Sequence, residues 1–156
     1  MSGMGQCRIP RPRDPDAAAR AEVVELLFAY VDRLRIHFEN VAKTRGLTPV
    51  QAKVLLSLSE PVPMRSLADV LCCDPSNITG VVDRLVESGM LSRTEDAGDR
   101  RVKIIATTAA GRRARESFVG ELFRDVPGLS ELSRAQVTEL RRVLEMLAHV
   151  GEGARG

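Results

Sequence analysis

Residues 64–107 read MRSLADVLCCDPSNITGVVDRLVESGMLSRTEDAGDRRVKIIAT, and this stretch decides the fold. A short helical pattern covers residues 66–72, with Leu67, Val70 and Leu71 on one face. Asp74-Pro75 breaks it, and Pro75 suits the first turn of a second helix, where its missing N–H is no loss. Ile78, Val81, Val82, Leu85 and Val86 then recur at three- and four-residue steps, the stripe of a helix lying on a core. The other face carries Ser76, Asn77, Thr79, Gly80, Asp83, Arg84 and Glu87, which are short, polar or charged. Gly89 ends the helix where a left-handed residue is wanted. Two β-type runs follow, at 91–95 and 102–107, joined by Asp96-Ala97-Gly98-Asp99-Arg100. Helix, tight turn, helix and an arginine-tipped hairpin form the pattern of a winged helix-turn-helix, which offers its second helix to a DNA major groove.

The remaining composition narrows the function. The chain has 156 residues, 44% hydrophobic and 28% charged, as expected of one soluble globular unit with an extension. Its aromatic residues are Tyr30, Phe28, Phe38, Phe118 and Phe123, too few for a platform that stacks splayed single-stranded bases. A net charge of +2 is no uniformly basic coat, so DNA affinity has to come from locally placed charge. One such place runs from residue 100 to 115, where Arg100, Arg101, Lys103, Arg112, Arg113 and Arg115 stand with no acid among them. Cys7, Cys72 and Cys73 are odd in number and two are adjacent, so no disulfide framework is expected. No signal-peptide pattern and no run of 18 apolar residues occurs, which points to a cytoplasmic chain with reduced thiols and no membrane partner. His37 and His149 are isolated, and no P-loop, GxGxxG, GxSxG, HExxH or zinc spacing is present. Neither an enzyme nor a metal or cofactor site is expected.

The flanks complete the architecture. Residues 1–16, with Pro10, Pro12, Pro15, Gly3, Gly5, Arg8, Arg11 and Arg13, read as a flexible basic tail. Asp16 is expected to cap a long helix over 17–44, along which Val23, Leu27, Tyr30, Leu34, Phe38 and Val41 recur. Gly46 stops it; Thr48 and Pro49 start another, with Val50, Val54, Leu55 and Leu58 facing inward until Pro61 and Pro63. Residues 63–65 read as a short strand edging the hairpin. Thr107 or Thr108 opens a helix over 109–124, with Gly111 placed for close packing against a neighbour. Pro127-Gly128 breaks that helix, and Ser133 caps a last one reaching residue 150, with Val137, Leu140, Leu144 and Leu147 on one face. The fold class is therefore mostly α with a small β-hairpin. Residues 47–108 form the DNA-binding domain, and 17–46 with 109–150 form a helical region whose apolar faces pair two copies of the chain.

From residue 47 to 113 the chain resembles the MarR family of bacterial transcriptional regulators. The matching pieces are Leu47-Thr48-Pro49-x-Gln51, Ser66-Leu67-Ala68, Ser76-Asn77-Ile78-Thr79, Val82-Asp83-Arg84-Leu85, Glu87-x-Gly89-x-Leu91, Asp96-x-x-Asp99-Arg100-Arg101 and Thr107-x-x-x-Gly111. Each is short, but their order and spacing together are specific. The resemblance implies a homodimer on a pseudo-palindromic operator, most often a repressor released when a small, often phenolic, ligand enters a cleft between the two lobes. It also implies, for some members, a response to cysteine oxidation or metal instead. Gly80 departs from the many relatives with a larger polar or basic residue there, which shifts base contact onto Ser76, Asn77, Thr79 and Arg84.

Chemistry assigns the expected roles. Ser66, at a helix N-terminus, suits a phosphate. Ser76, Asn77 and Thr79 face base edges or nearby phosphates, and an Asn pairs bidentately with adenine. Arg84 serves a phosphate or an internal ion pair with Asp83 or Glu87. Arg100 at the wing tip suits a narrow minor groove; Asp99 orients one of the arginines, and Arg101 serves phosphate or that ion pair. Arg112 and Arg113 read as a solvated helix face. By resemblance, Tyr30, Leu34 and His37 with Val54 and Leu58 line a ligand cleft, Tyr30 and His37 supplying polar handles, although core packing accounts for Tyr30 equally well. Two other readings stand beside this one: a redox or metal sensor on the same scaffold, using Cys7, Cys72 or Cys73, and a winged module acting only through protein contacts. The basic wing tip argues against the last.

Overall fold

The computed structural model describes residues 12–71 and 75–150, and the side chains of these except at 68–71, 75–77 and 150. The elements in order are α1 (Pro15–Thr44), α2 (Pro49–Ser57), β1 (Val62–Pro63), α3 (Met64–Leu71), α4 (Pro75–Glu87), β2 (Leu91–Glu95), β3 (Lys103–Thr107), α5 (Ala109–Leu122) and α6 (Arg134–Val150). Described residues up to Ile36 form one compact unit, and those from His37 onward form a second.

In the first unit the cap of α1 is Asp14, not Asp16. Its Oδ2 accepts the Ala17 N–H at 2.7 Å, which places Pro15 at the first helical position, where a proline is at home. Val23, Val24, Leu26, Leu27, Phe28, Val31 and Ile36 are all exposed along this helix.

The second unit has one core. Val41, Ala42, Leu47, Ala52, Val54, Leu55, Leu58, Leu67, Ile78, Val82, Leu85, Leu91, Ile105 and Phe118 are buried together. The last two turns of α1 belong to this core through Val41 and Ala42, and the Phe38 ring meets Phe118 edge-on at a 5.3 Å centroid distance. The α4 stripe is placed as its spacing predicts, with Ile78, Val82 and Leu85 buried and Val81 and Val86 half-buried. Val50 is the exception in α2: it lies in the first turn and points outward, while Val54, Leu55 and Leu58 take the core side.

Local chemistry sets the boundaries. Thr48 Oγ1 accepts the Gln51 N–H and Gln51 Oε1 accepts the Thr48 N–H, a reciprocal cap on α2 with Pro49 at its first position. Ser133 and Gln136 repeat that arrangement at the start of α6. Gly89 follows α4 at φ 72°, and the Met90 N–H returns to the Leu85 carbonyl at 2.9 Å, closing the helix and turning the chain into β2.

The sheet has three antiparallel strands in the order β1-β3-β2. β2 and β3 pair from Leu91 with Thr107 to Glu95 with Lys103, which is the expected hairpin. The edge strand is Val62–Pro63, paired to Ile105 and Ile104, rather than residues 63–65; Met64 and Arg65 already belong to α3. A proline suits this edge because its missing N–H breaks no ladder beyond it.

Candidate nucleic-acid interface

α4 packs against β2 of the hairpin. With Ile78, Val82 and Leu85 turned inward, Gly80, Arg84 and Glu87 are exposed on the opposite side and Thr79 is exposed at its flank. Ser76 and Asn77 fall in the first two turns of α4, at positions whose side chains lie outside the described set. Ser66 lies half-buried in the first turn of α3.

Arg84 pairs with neither acid named for it. Asp83 instead takes Arg93 of β2, with Oδ1 accepting from Nη2 at 2.5 Å, so the ion pair runs from the presented helix to the wing. Arg84 is left exposed with no ion pair among the described residues.

The wing tip is shaped by two aspartates. Asp96 Oδ1 accepts the N–H groups of Gly98 and Asp99 at 2.8 and 3.1 Å, and Asp99 Oδ1 accepts the Arg101 N–H at 3.0 Å. Asp99 therefore acts on Arg101 through the backbone, and not through a guanidinium as its place beside two arginines predicts. Lys103 Nζ donates to Glu95 Oε1 at 2.7 Å across the last rung of the ladder. Arg100 and Arg101 are exposed at the end of this frame, with no ion pair among the described residues.

The basic run from 100 to 115 thus divides. Arg112 Nη1 donates to the Thr107 carbonyl at 3.1 Å, and Arg115 Nη1 donates to the Leu58 carbonyl at 2.7 Å, just past the end of α2. These two arginines brace α5 against its neighbours. Arg113 remains on an exposed helix face, as expected.

Thr108 locks the hairpin to α5. Its hydroxyl donates to the Gly89 carbonyl at 2.6 Å and accepts the Gly111 N–H at 3.0 Å, while its own N–H donates to the Met90 carbonyl at 3.1 Å. Gly111 meets the same carbonyl: a Cβ there would lie 2.0 Å from the Met90 oxygen. The close packing expected at this glycine is against backbone.

Of the five residues expected to line a ligand cleft, His37, Val54 and Leu58 fall in the second unit and Tyr30 and Leu34 in the first. Val54 and Leu58 are both 0% exposed and fill the core. His37 Nε2 is 2.9 Å from the Leu122 carbonyl, joining α1 to the end of α5. Beside it, Arg45 Nε donates to Glu121 Oε2 at 2.7 Å, and Thr44 Oγ1 donates to Oε1 at 3.2 Å. The Arg45 hydrogen bond holds the Glu121 carboxyl below the ordinary glutamate range; partial desolvation opposes it, and Thr44 and Arg124 reinforce it. Tyr30 and Leu34 are half-buried on earlier turns of α1, in the first unit.

Cys7, Cys72 and Cys73 lie outside the described residues. Among the described residues no three His, Cys, Asp or Glu side chains gather as a metal ion would require, and no helix is long and apolar enough to cross a membrane.

A helix exposed on its polar side, coupled to a cationic hairpin, defines the winged helix-turn-helix class. Residues 47–103 match the model of the MarR family. The chain is 29% identical to the transcriptional activatory protein BadR of Rhodopseudomonas palustris, over 73% of this chain and 71% of that one. Its structure is similar to that of CouR from Rhodococcus jostii bound to p-coumaroyl-CoA, at 30% identity and a TM-score of 0.62, covering 81% of this chain and 91% of CouR. A mutant MarR from E. coli complexed with operator DNA shares the fold at 21% identity and a TM-score of 0.64, covering 83% and 95% of the two chains. Residues 47–103 are a MarR-family domain, and the chain has the fold of the E. coli MarR protein.

Proposed function

We propose that this regulator is a homodimeric repressor that binds a pseudo-palindromic operator, placing one α4 in each half-site, and lets go when a small aromatic effector binds. In this reading residues 47–108 read DNA, and 17–46 with 109–150 pair the two copies. The observation that carries it is the ion pair between Asp83 and Arg93, which ties the exposed face of α4 to the wing bearing Arg100 and Arg101. Base edges are then offered Ser76, Asn77 and Thr79, while Arg84, Arg100, Arg101 and Ser66 serve the backbone and minor groove.

Pairing is supported by apolar surface that a monomer would leave wet. Val137, Leu144, Met146 and Leu147 are exposed on α6, where a shallow concavity of about 360 Å³ is lined by Leu129, Val137, Leu140, Leu144 and Ala148 together with Arg141 and Glu145. A two-fold dimer sets its two reading helices about 34–36 Å apart, one turn of duplex.

The aromatic effector is supported by CouR, whose structure holds p-coumaroyl-CoA. An activating role is the second reading, favoured by the name of BadR. Gel-shift with the DNA upstream of the chain's own reading frame, with and without aromatic acids and their CoA thioesters, tests the proposal. Absence of a shift at any salt concentration rejects DNA reading, and a shift indifferent to the whole panel rejects the effector. Deleting the gene separates the two signs of regulation: target transcription rises for a repressor and falls for an activator.

A further inference from the structure

Gly80 occupies the middle of α4, a place where a helix loses stability by carrying glycine instead of alanine. Nothing among the described residues asks for it. Its φ is not in the left-handed region, and a Cβ built there has no atom within 4 Å. Gly111 is the instructive contrast, because a Cβ at that position would strike the Met90 carbonyl. Gly120 is as open as Gly80, but it falls in the last turn of α5, where a glycine costs a helix least.

Gly80 also sits at a special angle. At about 100° per residue it lies roughly 200° around α4 from Ile78, directly opposite the buried stripe. The outermost line of the helix therefore passes from Ser76 through bare backbone at Gly80 to Arg84. A side chain there would be the first part of α4 to meet any surface the helix enters. Its absence lets the helix axis come nearer to that surface, which is the use of glycine where backbone approaches a ligand closely.

We infer that Gly80 is a specificity-determining residue of the DNA site: its missing side chain seats α4 deep enough in the major groove for Ser76, Asn77 and Thr79 to reach base edges. This rests on the DNA-reading proposal above. A methyl group at residue 80 would lift the middle of the helix and lengthen every base contact on either side. Phosphate contacts from the wing, made by long flexible arginines, would tolerate the same shift. Sequence discrimination should fall while non-specific affinity stays.

The test compares the full-length wild-type chain with Gly80→Ala. A preferred duplex is first selected by the wild type from a random pool, and both proteins are then titrated with that duplex and with an unrelated one at fixed salt. Gly80→Ala should raise Tm by roughly 2–4 °C, because the helix gains propensity. Its affinity for the preferred duplex should fall about tenfold or more, with affinity for the unrelated duplex unchanged within about twofold. A variant that keeps wild-type preference overturns the inference. So does one with a lowered Tm, since the fold would then need the glycine. A wild type that enriches no sequence removes the DNA-reading proposal itself, and this inference with it.

Discussion

The carboxylate of Asp83 holds the guanidinium of Arg93 at 2.5 Å, and so one ion pair spans from helix α4 to strand β2 of the wing. Both side chains are partly open, at 44% and 34% exposure, so water screens the pair and its contribution to stability is about 0.2–1 kcal/mol. In the proposed DNA complex its value lies in alignment. Asp83→Asn should cost less than about 1 kcal/mol in urea unfolding while weakening operator binding several-fold. A variant with wild-type affinity by fluorescence anisotropy would show that the pair aligns nothing.

Arg100 stands at the wing tip with no ion pair among the described residues, so its charge is available to a phosphate. Each phosphate neutralised releases condensed counterions, and log K then falls with log salt at a slope near −0.9 per phosphate. Arg100→Ala should lower affinity and flatten the slope by about one for every phosphate the bound dimer no longer neutralises. Titrations over a series of salt concentrations measure this directly, and an unchanged slope rejects the assignment.

Gly111→Ala should be damaging out of proportion to its size. The new methyl group would lie 2.0 Å from the Met90 oxygen, a backbone atom that also accepts the Thr108 N–H and cannot simply rotate away. We expect a loss of at least about 2 kcal/mol by chemical denaturation. A loss below half that would mean that the junction gives way easily.

Acid should loosen the contact between α1 and α5. Glu121 is held below its ordinary titration range, chiefly by the hydrogen bond from Arg45. A carboxylate depressed on folding adds stability above its unfolded value and loses it as pH falls through the folded one. Glu121→Gln should therefore be less stable than wild type near neutrality, with the difference shrinking below about pH 4. Thermal unfolding followed from neutral pH down to about pH 3 shows this, and curves that stay parallel would contradict it.

Leu144 is 46% exposed on α6, so Leu144→Asp should leave the single chain folded. If this face pairs two copies, the dimer dissociation constant should rise by at least about tenfold. Light scattering across a dilution series reads the change as a falling mass. An unaltered mass would move the pairing surface elsewhere.

The elements were legible where periodicity or capping chemistry is local. The α4 stripe, the Thr48 and Ser133 caps and the β2-β3 hairpin follow from residues a few positions apart. The cap of α1 was also readable: a proline at the first helical position requires its cap one residue earlier, which makes Asp14 the choice over Asp16. Long-range partners were not readable. Asp83 has acids and bases beside it in sequence, yet its partner arrives only when Gly89 turns the chain back into β2. Likewise nothing local told that Arg115 would brace the Leu58 carbonyl or that His37 would join Leu122, because both depend on how helices pack. The exposed cations were identifiable as a charged run, but which of them are spent on internal carbonyls was decided in three dimensions.

The junction at Thr108 makes a stiff elbow. One hydroxyl and one main-chain oxygen, on Thr108 and Met90, clamp the turn after α4 to the first turn of α5 with no room for an added methyl. Any tilt of α5 would therefore be felt first at Met90, one residue beyond the Gly89 turn that ends α4.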